Sequence, residues 1–270
     1  MARIDGNKAA NENLIVAAKF AAAAALKANR VAKTEIKTKI FTDEDMLPIA
    51  ELLGIIGEGN AFVQGDGACI KKAYEKGTPV VGLLIGANTV SSDLNWNCGA
   101  CGFDTCAEFN KYSKGHRSPG IFYVGPSCNW KYFDLAMAVC WAAAALAQMN
   151  IENRVQDSVG FAAFNLGYLE GCNTITGIAI GPATDYYYYD RPELKHSFDF
   201  KEHEEFISNC LPQFYQSFCG GGHPVVKSKP DFFMEPKCFK PISDKEFAAQ
   251  QQNILSRVVE FIEKEKSKAQ

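Results

Sequence analysis

The run Asn97-Cys98-Gly99-Ala100-Cys101-Gly102-Phe103-Asp104-Thr105-Cys106 carries three thiols in a C-x2-C-x4-C spacing, with glycine directly after each of the first two cysteines. A fourth thiol, Cys128, follows in Gly125-Pro126-Ser127-Cys128. Three sulfurs on so short a loop face inward together only if the backbone curls around a common object. Glycine permits the positive φ angles such a curl needs, and it leaves N–H groups free to point at sulfur. Thr105 and Cys106 are placed to open a helix through Ala107, Glu108 and Phe109, which adds a positive helix end beside the thiols. Thiolates so arranged bind a soft metal. A cluster held by four of them is net anionic, and amide dipoles and burial then set its reduction potential.

Three other readings compete with an iron–sulfur cluster. A structural zinc site usually draws on two short C-x2-C pairs set well apart, whereas here three thiols share one loop and the fourth stands alone. Plant-type [2Fe–2S] proteins use C-x4-C-x2-C, the opposite order. Four unrelated buried thiols fit poorly with Cys-Gly-x-Cys-Gly in a loop. The spacing favours a cluster, and of the four-iron kind, over zinc or no metal.

The remaining residues able to do chemistry give weaker signals. Cys172, Cys210, Cys219 and Cys238 are a candidate second metal-ligand set, but their spacing matches no defensible motif. Cys69 and Cys140 sit in helical patterns and read as core. His116 and Arg117 could tune a cluster or dock an acidic electron partner, and an exposed loop is the plainer reading. His196, His203 and His223 have no partner at metal-ligand spacing. Asp134 and Asp157 lie near helix starts, where a carboxylate favours the macrodipole. The tyrosine run Tyr186 to Tyr189, with Asp190-Arg191, suits either a small-molecule pocket or a dimer interface. No dinucleotide fingerprint, P-loop or serine-hydrolase elbow is present, and Gly220 to Gly222 before His223 lacks the strand and helix that would frame one.

The stretch NCGACGFDTCAEF resembles the four-cysteine ferredoxin-like segment of a family of uncharacterised prokaryotic proteins. The resemblance spans roughly residues 9–191: an alanine-rich N-terminal helix, then a strand, and Cys128-x5-Asp134-Leu135 in a helix. It continues with Asn153-Arg154 opening the next helix, a late strand ending at Gly181-Pro182, and a terminal Asp190-Arg191. It implies that Cys98, Cys101, Cys106 and Cys128 are the ligands of a [4Fe–4S] cluster. It implies no particular reaction. The tyrosine run and everything after Arg191 depart from the pattern. The order of elements is also similar, at the level of fold, to flavin-dependent nitroreductases, which are obligate dimers with FMN at the subunit interface. That likeness implies FMN and a homodimer or higher homo-oligomer, although the basic cluster that grips the phosphate near the start of those enzymes is missing.

The elements that must position the motif follow from periodicity. Residues 9–28 read as an alanine-rich helix, Thr34 to Phe41 as a half-exposed strand, and Asp43 to Ile56 as a helix ended by Gly57 and Gly59. A short helix spans about Gly67 to Lys76, and the apolar run Pro79 to Ala87 is a strand buried on both faces. After a loop region, Ser91 to Asn129, come two helical stripes. One uses Phe133, Ala136, Met137, Cys140, Trp141, Ala144 and Ala145; the other uses Val155, Val159, Ala162, Ala163 and Leu166. Their alanines would let these two helices approach closely. Thr174 to Ile180 is a further strand, and a last helix starts at a capping box of Ser243 and Glu246, with a frayed end EKEKSKAQ.

The expected architecture is one α+β domain over residues 1–191: a mixed sheet flanked by alanine-rich helices, with the cluster loop 91–129 inserted. Residues 192–270 form a C-terminal extension that wraps the domain and ends in a helix. The chain has 270 residues, 28 basic against 31 acidic, and this slight acidity argues against nucleic acid as a partner. Leu135 to Ala147, the longest apolar run, is too short to span a membrane. Ten cysteines and no export signal place the chain in a reducing cytoplasm, where clustered thiols read as metal or redox groups. The expectation is an oxygen-sensitive iron–sulfur protein of an anaerobe, acting as electron carrier or electron-accepting part of a reductase. Its partner is a redox protein or a small-molecule substrate. The alternatives are a flavin- or substrate-binding reductase whose cluster feeds an adjacent pocket, and a scaffold protein with structural zinc.

Overall fold

In the computed structural model of the chain, which describes residues 3–58, 61–78, 80–119, 124–184 and 244–268, a four-stranded sheet organises the rest. Its central strands are β2 (Val81–Ala87) and β6 (Thr174–Ile180), every residue of both being buried. β1 (Ile36–Thr42) and β5 (Asn153–Gln156) form the edges, in the order β1-β2-β6-β5. The sheet is antiparallel throughout rather than mixed. Two helices, α2 (Leu47–Ile56) and α3 (Ala61–Glu75), connect β1 to β2. A single crossover helix returns the chain for a parallel strand; a pair brings it back running the other way.

Helices cover both faces, which is why β2 is uninterruptedly apolar. Val81, Leu83, Ile85 and Ala87 join a core with Leu14, Ala17, Ala18, Ala21 and Ala25 of α1 (Gly6–Lys27) and Leu135, Ala138, Ala142 and Leu146 of α5 (Asn129–Gln148). On the other face Gly82 lies against Met46 of the 3-10 turn Asp43–Met46. There α6 (Asp157–Asn165) also packs on β6, so closely that a Cβ on Gly160 would sit 2.0 Å from the Ile175 carbonyl oxygen.

Two expectations about the helices change. The alanine-rich partner of α5 is α1, not α6, because β5 intervenes after α5 and delivers α6 to the opposite face of the sheet. Val155 and the Asn153-Arg154 pair accordingly belong to a strand rather than to a helix. The apolar stripe expected to be buried on α5 is its outer one: Phe133, Cys140 and Trp141 are exposed, while Asp134, Leu135, Ala138, Val139, Ala142 and Leu146 are buried. Both stripes of α5 are apolar, so periodicity alone does not rank them; the match to the alanine face of α1 does.

The loop region contains α4 (Cys106–Gly115), which starts where expected, and a two-stranded ribbon of β3 (Ser118–Pro119) and β4 (Val124–Gly125). Asp134 lies past the first turn of α5, so its role is not a macrodipole contact. Its buried carboxylate accepts hydrogen bonds from the N–H groups of Val31, Ala32 and Thr34 and from the Thr34 hydroxyl, tying the link between α1 and β1 to α5. Asp157, the first residue of α6, accepts from the Thr176 hydroxyl at 3.0 Å.

The chain divides into two units, Met1–Asp190 with Leu255–Gln270, and Arg191–Ile254. The helix α7 (Asp244–Lys268) runs to Lys268, past the expected fraying point. Within the first unit Val258 is buried and Arg257 pairs with Glu58. The expected wrapping course of residues 192–243, and Ser243 of the capping box, lie outside the described residues. No helix among the described residues is long and apolar enough to cross a membrane.

Candidate metal centre

The chain leaves β2 at Ala87 and meets a buried polar knot before it reaches the cysteines. Thr89 donates its N–H to Asn173 Oδ1 at 2.6 Å, and its hydroxyl lies 2.8 Å from that of Ser127 and 3.1 Å from that of Thr174. The Asn173 amide also donates to the Val124 carbonyl at 2.9 Å. The Thr89 carbonyl in turn accepts the N–H of Cys128 at 2.7 Å. One well-satisfied network therefore pins the segment carrying the fourth thiol to the ends of the two central strands. Such a network holds its shape because each member left unpaired would cost desolvation energy.

A second set of bonds shapes the loop. Ser92 exchanges two hydrogen bonds with the Asn110 side chain, N–H to Oδ1 and Nδ2 to carbonyl, both 2.7 Å, and Ser113 Oγ donates to the Val90 carbonyl at 2.6 Å. These fasten the loop's first part to α4. Beyond it, Asn95, Asn97, Gly99 and Gly102 all adopt left-handed φ angles, between 51° and 84°. Where left-handed residues alternate with right-handed ones, successive N–H groups turn to one side of the chain. The two glycines are those expected from Cys-Gly-x-Cys-Gly. The two asparagines were not anticipated, although asparagine is the commonest non-glycine residue in this conformation. Asn97 also uses its side chain, accepting the Cys106 N–H at 2.9 Å.

Cys98, Cys101, Cys106 and Cys128 all line one pocket, together with Ser92, Trp96, Phe103, Phe109 and Trp130. Cys98 is exposed, Cys101 and Cys106 are half-buried, and Cys128 is buried. Two helix N-termini meet here: Cys106 is the first residue of α4, and Cys128 is the N-cap of α5. Thr105 and Glu108 close a capping box on α4. The Ser92 hydroxyl donates to Cys106 Sγ at 3.6 Å. That bond, then the Asn97 backbone N–H, holds the Cys106 thiol below its ordinary range against the opposing effect of burial, with the Trp96 and Asn95 N–H groups adding to the same end.

The pocket walls are braced from α5. Lys131 Nζ pairs with Asp93 at 2.8 Å and holds that carboxyl below the usual carboxylate range, and Asn129 Nδ2 donates to the Ala100 carbonyl. Trp96 meets Trp130 edge-on at 5.7 Å, and Phe103 meets the fully buried Phe109 edge-on at 5.8 Å. His116 caps the end of α4, stacked on Tyr112 at 4.3 Å, and both it and Arg117 are exposed. Ser92, Asn110, Lys131 and the two tryptophans carry no pattern that marks them in the sequence; only the folded loop brings them to the thiols.

The other cysteines separate from this site. Cys172 is buried beside Gly86, and burial pushes its thiol up to about 11. Cys210, Cys219 and Cys238, the rest of the candidate second set, lie outside the described residues, as do Tyr186 to Tyr189, His196, His203 and His223. Cys69 is in the core as expected, packed with Ala73, Val80 and Ala179. Cys140 is exposed on the outer stripe of α5.

Residues 124–191 match a protein family described as "Uncharacterized protein containing a ferredoxin domain (DUF2148)". The matched span includes Cys128; the C-x2-C-x4-C loop precedes it. An uncharacterized protein of Archaeoglobus fulgidus is 30% identical over 186 residues, which cover 68% of this chain and 95% of the relative. No solved structure matches the chain. The chain belongs to this family of uncharacterized proteins containing a ferredoxin domain.

Proposed function

We propose that the chain is an iron–sulfur electron-transfer protein in which Cys98, Cys101, Cys106 and Cys128 hold one [4Fe–4S] cluster. The observation that carries this reading is the common pocket: four thiols on its wall, two helix N-termini, and a hydroxyl-to-sulfur hydrogen bond. The two helix N-termini and the hydroxyl donor favour net negative charge on the sulfurs, as a thiolate-held cluster carries. Three thiols share one C-x2-C-x4-C loop and the fourth stands alone, whereas structural zinc usually draws on two separated C-x2-C pairs, so the spacing supports a cluster over structural zinc. The family's ferredoxin domain agrees with it.

Once bound, such a cluster supplies reversible one-electron transfer at a potential tuned by its protein surroundings. The chain's own residues do the rest. Cys128 and the Thr89–Asn173 network fix the buried side, so the thiolates stay in place when the charge changes. Cys98 lies exposed, and on that side a redox protein or a small-molecule substrate comes within electron-transfer reach. Phe103, Phe109, Trp96 and Trp130 limit water around the sulfurs.

Anaerobic purification or reconstitution, followed by iron and acid-labile sulfide counts, tests the proposal. About four of each per chain, falling sharply in single serine variants of the four cysteines, is the expected outcome. One zinc with no sulfide, or iron content indifferent to those substitutions, refutes it. About eight of each would mean a second cluster elsewhere in the chain.

A further inference from the structure

Trp130 follows Cys128 by two residues, in the first turn of α5, and its side chain forms part of the pocket wall. Its ring is held edge-on by Trp96 at 5.7 Å and by Phe133 at 6.2 Å. The indole nitrogen Nε1 is buried and has no hydrogen-bond partner among the described residues. Indole N–H can only donate, and native proteins pair nearly all such buried donors because an unpaired one forfeits its bond to water without return. An acceptor is therefore missing beside Trp130. The pocket that Trp130 lines is walled by four cysteine sulfurs, and an anionic sulfur-rich group there would supply one.

We infer that the indole N–H of Trp130 donates a hydrogen bond to a sulfur of the iron–sulfur group and raises its reduction potential. This rests on the cluster reading above. Reduction by dithionite through mediators adds one electron to that group; no bond breaks, and the indole keeps its proton. The added negative charge would be shared by iron and sulfur, so an indole donor to that sulfur would stabilise the reduced form more than the oxidised one. Ser92 acts on Cys106 in the same sense from the loop, through a longer 3.6 Å contact. Trp130 offers a donor already stripped of water.

The test is a mediated redox titration, followed by electron paramagnetic resonance, of the anaerobic full-length protein and of Trp130→Phe, which keeps an aromatic ring and removes the donor. The expected result is a roughly tenfold loss in the equilibrium constant for one-electron reduction, about 59 mV to more negative potential. Trp141→Phe, on the outer stripe of α5, serves as the aromatic control and leaves the potential in place. Should Trp130→Phe fail to retain iron, the wild-type protein with 15N-labelled indoles decides. Hyperfine coupling between the reduced cluster and an indole N–H whose proton exchanges in heavy water supports the bond. Absence of such coupling, or an unchanged potential in an iron-loaded Trp130→Phe, overturns the inference and leaves the cluster reading intact. Wild-type material lacking iron and sulfide instead overturns the cluster reading, and this inference with it.

Discussion

Replacing Asp134 with alanine measures how far the frame around the site depends on one buried carboxylate. Four donors converge on it: the N–H groups of Val31 at 2.7 Å, Ala32 at 3.0 Å and Thr34 at 3.0 Å, and the Thr34 hydroxyl at 2.8 Å. The hydroxyl can rotate toward another acceptor, but the three amides cannot. Each buried donor left without a partner costs about 1–3 kcal/mol. Val31 is exposed enough for water to replace its lost acceptor, so the loss is counted on the two buried amides plus part of the third, about 3–5 kcal/mol. That is a large share of the roughly 5–15 kcal/mol that holds a typical domain together. The substitution Asp134→Asn keeps the shape and one acceptor oxygen, so it should lose about half as much. Denaturant unfolding of the three proteins at one salt and pH, with equal slopes, reads these differences directly. Two results would refute the reasoning: an alanine variant within about 1 kcal/mol of wild type, or an asparagine variant as weak as the alanine one. The first would mean the link's amides find water easily; the second, that charge alone matters and the geometry of acceptance does not.

Two further outcomes follow from the loop and from the thiols. Asn97→Ala removes both the acceptor for the Cys106 N–H and a side chain tolerant of left-handed backbone, for about 2 kcal/mol, while Asn97→Gly loses only the bond, for about 1 kcal/mol; equal losses in denaturant melts would remove the conformational part of the argument. Alkylation of the native protein at pH 8 should label Cys140 and spare Cys172. Because burial raises the Cys172 thiol to about 11, it stays protonated until the pH nears that value. Its labelling should therefore remain slow where an ordinary thiol, with pKa about 8.5, is already reactive. Mass spectrometry of the alkylated peptides checks this, and rapid modification of Cys172 between about pH 7 and 9 would contradict it.

Much of the site was legible before any tertiary contact was known. C-x2-C-x4-C with its two glycines, the helix opening at Thr105-Cys106, and a fourth thiol just ahead of a helix are local facts. Backbone sterics and helix-end electrostatics act over a few residues, so the sequence states them directly. The same holds for the two central strands: β2 reads as an unbroken apolar run because both of its faces need cover, and both receive it.

What tertiary structure alone decided was which surfaces meet. α5 is apolar on two sides, and nothing within it says that Leu135, Ala138 and Ala142, rather than Phe133, Cys140 and Trp141, face inward. The choice follows from the alanine face of α1, more than a hundred residues away in the chain. Asp134 is a carboxylate near a helix start until the distant link at Val31–Thr34 brings it four donors. Ser92 becomes a donor to Cys106, and Trp130 part of the wall around four thiols, only once the loop has closed. Short-range preferences are written into consecutive residues. Burial and long-range hydrogen bonding depend on partners that only the folded chain selects.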